Sequence, residues 1–104
     1  MKLDMNQQQR GTYTSSSDIT GTITEYVDSI SAMVHEYVYI TSATSQALGF
    51  PEKSGYWCHI FRGSSTSAAA MIVAVRVNAS NPGWMCIKQR ISGTWSEWQW
   101  VKGV

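Results

Sequence analysis

The chain has 104 residues, with eight lysines and arginines against seven aspartates and glutamates, and only 14% of its residues are charged. That length supports one domain with a small core, and near-neutrality excludes the basic patch that nucleic-acid binding needs. No run approaches the roughly 20 apolar residues of a membrane-spanning helix, and no apolar stretch follows Lys2, so neither membrane insertion nor a secretory leader is expected.

Residues 1–17 are polar, with Gln7–Gln9 and Ser15–Ser17 runs and no hydrophobic period. They read as a linker or shaft-proximal arm, and residues 18–104 as the head domain it carries. Ile19, Ile23, Tyr26, Val27, Ile30, Met33 and Val34 then fall on one helical stripe. Ser17 or Asp18 is suited to cap it, and Asp18 also suits the positive end of the dipole. Gly21 and the threonines Thr20, Thr22 and Thr24 weaken the first turn, which puts firm helix from about Thr24 to Val34.

Strands follow. Tyr37 to Ser42 is aromatic and β-branched, Ala43 to Ser54 reads as a loop broken by Gly49 and Pro51, and Gly55 to Arg62 alternates. Gly63 to Ser67 is a turn, Ala69 to Val77 alternates, and Asn78 to Gly83 is a strong turn signal. Trp84 to Ile91 alternates again, and Ser92-Gly93 turns the chain into Thr94 to Val101. The expected fold is α+β: one N-terminal helix packed on a small antiparallel β-meander of about five strands.

Chemistry-bearing motifs are sparse. There is no P-loop, Rossmann glycine pattern, G-x-S-x-G elbow or CxxC, and no carboxylate pair suggests a glycosidase. Glu25 and Asp28 read as a solvated helix face. His35 and His59 are the only histidines; His59 reads as a core or subunit-interface residue. No catalytic residue, cofactor or metal is expected, and the chain is read as a non-enzyme. Cys58 and Cys86 each sit in an apolar strand and read as free thiols. Arg62, Arg76 and Arg90 lie near strand ends, where they protect sheet edges or bind an acidic sugar or phosphate.

The aromatic residues carry the strongest signal. Five tryptophans and five tyrosines are too many for so small a domain to hide, so some aromatic surface should meet another subunit or a ligand. Three tryptophans close the chain in G-T-W-S-E-W-Q-W. In a regular strand Trp98 and Trp100 share one face and Trp95 the other; a bulge would change this. Two readings stand: Trp98 fills the core while Trp95 pins the hairpin, or one face is a platform for stacking sugars. Trp57, Trp84 and Tyr56 are further candidates for such a platform.

This ending resembles the C-terminal knob of phage tail fibres and pyocin fibres, whose sequences often close with R-x-x-x-G-x-W-S-x-W. Arg90, Gly93, Trp95, Ser96 and Trp98 fill that pattern with a two-residue gap before the glycine. The likeness extends over Y-V-Y-I, G-Y-W-C-H-I-F and A-M-I-V-A-V-R, about residues 23–101. It implies a homotrimeric head at a virion fibre tip, made in the host cytoplasm and contacting bacterial surface polysaccharide or lipopolysaccharide. Trp95, Trp98, Trp57, Arg90, Trp84 and Tyr56 are the expected ligand-binding residues. Alternatives are a structural domain that trimerises a fibre and a monomeric carbohydrate-binding module.

Overall fold

Alternating side chains in four successive stretches give a sheet that separates two faces of different chemistry. The structure, a computed structural model, describes residues 12–30, 35–63, 68–80 and 82–102. Among these residues are seven strands: β1 (Thr12–Tyr13), β2 (His35–Ile40), β3 (Gly55–Arg62), β4 (Ala70–Val77), β5 (Met85–Ile91), β6 (Thr94–Trp95) and β7 (Gln99–Val101). Strands β2 to β5 form an antiparallel meander, β6 and β7 both pair with β5, and β1 lies parallel to β2 at the opposite edge. Among the described residues the molecule is mostly β, with two short helices at Ile23–Asp28 and Ser42–Ser45.

The first helix departs from expectation. It has six residues, and Thr22 caps it rather than Ser17 or Asp18. The Thr22 hydroxyl accepts from the Glu25 amide while the Glu25 carboxylate accepts from the Thr22 amide, a reciprocal box that satisfies two orphan donors. Ser16–Asp18 forms a separate 3-10 turn. Gly21, at φ +73°, makes the bend between them; a Cβ there would fall 2.4 Å from a Glu25 carboxylate oxygen. Gly21 thus sets the helix start by excluding a side chain from the capping box. Ser42–Ser45, which takes the last residue of the predicted strand and the first three of the predicted loop, forms one helical turn that seats Leu48 and Phe50 in the core. Residues 1–11 of the predicted arm, Met33 and Val34 of the predicted helix, and residues 64–67 of the predicted turn lie outside the described residues.

One sheet face is covered. Ile19, Ile23, Val27, Leu48 and Phe50 pack on Val38, Ile40, Tyr56, Cys58, Ile60, Ile72 and Cys86, all buried. Ala70 and Ala74 are the small residues of this face. The register places Cys58 and Cys86 on either side of Ala74. They are two strand spacings apart, roughly 10 Å, beyond the reach of a disulfide. Both are free and buried.

Candidate functional site

The last hairpin decides where the tryptophans go. Ser92 and Gly93 both have positive φ, 52° and 82°, the mirror-image turn whose twist suits a two-residue hairpin. Arg90 opposes Trp95, while Cys86 opposes Trp100 and Ile87 opposes Gln99, so the register slips by one residue between β6 and β7. Within the slip, the Ser96 amide donates to the Gln89 carbonyl at 2.7 Å and the Ser96 hydroxyl accepts from the Gln89 amide at 3.1 Å. This bulge brings Trp95, Trp98 and Trp100 onto one face, where all three pack against the core.

Each indole there has a partner. Trp95 donates to both Asp28 carboxylate oxygens, at 3.0 and 3.2 Å. Trp98 donates to the Gly49 carbonyl at 2.8 Å and stacks on Phe50. Trp84 and Trp100 meet edge to face with the Arg76 guanidinium over both rings. Lys88 lies over Trp98, and Lys102 over Trp84 at 4.5 Å. Of the remaining expected ligand contacts, Tyr56 and Arg90 are buried, and Trp57 stands on the other side of the sheet, 47% exposed. The six residues therefore do not form one site.

The three arginines are not edge guards. Arg62, Arg76 and Arg90 all project onto the covered face and pair with Glu36, Glu52 and Asp28 respectively. Arg90 also donates to the Ala68 carbonyl, and Arg62 to the Val27 carbonyl. Burial lowers the Arg62 guanidinium from its ordinary pKa, opposed by its contact with Tyr26. Glu36 in turn accepts from the Tyr26 and Thr14 hydroxyls. Asp28 and Glu25 are therefore structural, the one as an ion-pair partner and the other as a cap, rather than a merely solvated helix face. The pairing was missed because partners lie 62, 26 and 24 residues apart in sequence.

The open face is the feature that sequence reading undervalued. Cross-strand rows run Tyr39–Trp57–Val75–Met85–Val101, Tyr37–His59–Val73–Ile87–Gln99 and His35–Phe61–Met71–Gln89. Tyr13 adds to the edge of the second row, its ring 5.6 Å from that of Tyr37. Among the described strand residues, none on this face is Asp, Glu, Lys or Arg. Tyr13, Trp57, Phe61, Val77, Ile91 and Val101 are 39% to 64% exposed. Five strand positions by six residues is roughly 20 by 20 Å, within the size at which an apolar patch marks an interaction site. Toward one corner of it, at the start of β2, the His35 and His59 rings stack, Nε2 to Nδ1 at 3.3 Å, with Phe61 stacked on His35.

Among the described residues no group of three or more histidines, cysteines, aspartates or glutamates is placed to hold a metal ion, and no helix is long and apolar enough to cross a membrane. No family model, curated protein or solved structure matches the chain.

Proposed function

We propose that this chain is a non-enzymatic assembly module of the fibre-head kind, which associates with copies of itself through its open sheet face. The observation that carries the reading is the distribution of charge. The sheet places its charged side chains on the covered side and leaves the other side apolar, aromatic and uncharged. Such a surface resembles the inside of a protein, and its complement is another surface of the same kind. The homotrimer expected from the fibre-knob likeness, with one N-terminal helix on an antiparallel meander in each head, is the assembly proposed.

The engagement of four of the six acids among the described residues supports a binding role over catalysis. Glu25, Asp28, Glu36 and Glu52 are all held by hydrogen bonds or ion pairs within the fold. A second, compatible reading keeps a bacterial surface glycan as ligand, at the rim where Lys88 and Lys102 lie over Trp98 and Trp84. Indole faces flanked by ammonium groups suit acidic sugars, and this rim stays free when the open face is occupied.

Light scattering tests the assembly. A trimer of 11.6 kDa chains weighs about 35 kDa. Val75→Lys, which puts a charge among Trp57, Met85 and Tyr39, should return the protein to the mass of one chain with its far-ultraviolet spectrum unchanged. A wild-type chain that stays monomeric at hundreds of micromolar would sink the reading.

A further inference from the structure

We infer that His35 and His59 form a two-imidazole site for a borderline divalent transition ion, of which zinc is the type. The site lies within one chain and does not depend on the association proposed for the open face. Its geometry comes from the sheet. His35 opposes Phe61 and His59 opposes Tyr37, so the two histidines are diagonal neighbours on adjacent strands. Their Nε2 and Nδ1 atoms stand 3.3 Å apart. Two nitrogens that each lie ~2.0–2.1 Å from a tetrahedral zinc are themselves about 3.3 Å apart.

The chemistry follows from what surrounds the pair. In the hydrogen bond one ring nitrogen carries the proton and the other the lone pair. Moving that proton to the outer nitrogen of its own ring frees a second lone pair. A small tilt of the rings then replaces a shared proton by a shared ion, with no net proton change for two neutral imidazoles. Phe61, stacked 4.5 Å from His35, and Tyr37 beside His59 limit how far the rings can turn away. No carboxylate stands on this face among the described strand residues, so hard oxygen-seeking ions such as magnesium and calcium lack their ligands. The remaining coordination positions belong to water in a single chain and are open to a neighbouring copy in an assembly.

Equilibrium dialysis against micromolar zinc chloride tests the site. It is run on the wild-type chain and on Val75→Lys, whose face stays uncovered if copies associate there. Saturable uptake of about one zinc per chain is expected in the Val75→Lys protein. Adding His59→Asn or His35→Asn to that protein should abolish the uptake while leaving the urea midpoint nearly unchanged. Magnesium should show no saturable uptake. Absent zinc uptake by Val75→Lys, or uptake that survives replacement of both histidines, overturns the site. Light scattering on the same samples reads association separately: a monomeric wild type that still binds zinc would reject the assembly and keep the metal site.

Discussion

Asp28 is the side chain on which most of one corner depends. It accepts from the buried Arg90 guanidinium at 2.8 Å and from the Trp95 indole, joining the helix end to β5 and β6. Asp28→Ala would remove the Asp28 carboxylate from Arg90 and take the carboxylate acceptor from the Trp95 indole N–H. Removing one partner of a fully buried pair costs 3–5 kcal/mol, but the Asp28 side chain is 44% exposed and water screens part of the loss. The expected cost is about 2–3 kcal/mol, read from urea unfolding. Burial also sets the response to alkali. It pushes Tyr56 up to about 12, against the Glu52 backbone contact that lowers it, and likewise raises Cys86 to about 12 and Cys58 further. The unfolded thiols and phenol ionise at ~8.5 and ~10. Their contribution to stability is therefore complete below about pH 8.5, and is lost as pH rises toward about 12, because the unfolded chain releases protons that the folded chain keeps. The urea midpoint should fall steadily from about pH 8.5 upward, and a thiol reagent should label neither cysteine until the chain unfolds. A midpoint unchanged up to about pH 11 would show that these groups are not shielded.

The final hairpin is the element where sequence and structure meet most instructively. Ser92-Gly93 was legible as a turn because positive φ demands glycine or a small polar residue. A Cβ at Gly93 would meet nothing within 4 Å, so Gly93→Ala is opposed by backbone conformation alone. The substitution should cost about 1 kcal/mol, and Ser92→Gly should recover a few tenths, both measured as shifts of the thermal midpoint. A loss of about 3 kcal/mol or more at Gly93 would show that the added methyl meets other atoms and that backbone conformation is not the sole cost. The bulge after Trp95 was legible only as a possibility, because a one-residue slip in pairing leaves no mark on composition. It is set by where Asp28 and Gly49 offer acceptors to Trp95 and Trp98, contacts spanning 67 and 49 residues. The alternating strands β3, β4 and β5 were readable for the opposite reason: period-two patterning is local. The Ile23–Asp28 helix shows the limit of the helical stripe. Ile19 keeps its apolar role by capping the core from outside the helix, so burial survives where helical geometry does not. Of the expected ligand residues, Tyr56 and Arg90 point inward, a direction that depends on which sheet face the helix covers and that alternation alone does not give.

At the scale of the molecule, that choice of face determines everything else. The covered side holds Glu36, Arg62, Arg76, Lys88 and Arg90 beside the apolar core, and the open side holds tyrosine, tryptophan, histidine and aliphatic residues. Alternation alone shows that two faces exist but not which one meets water, and the charged residues would ordinarily be assigned to the outside. Here ion pairs and cation–π contacts satisfy those charges against the helix and the indoles, leaving the open face without a charge to orient or repel a partner. Association through such a face is driven by removal of apolar area from water, with no Coulombic attraction for salt to screen. Raising sodium chloride from about 0.05 to about 1 M at neutral pH should therefore change the dissociation constant by no more than about threefold. Sodium sulfate, which is excluded from protein surfaces, should tighten it. Sedimentation equilibrium at several chain concentrations measures both. A dissociation constant that weakened tenfold or more in sodium chloride would show that the contact lies elsewhere. The rim carrying Lys88 and Lys102 would then be the surface that copies share, and the aromatic face would need a different occupant.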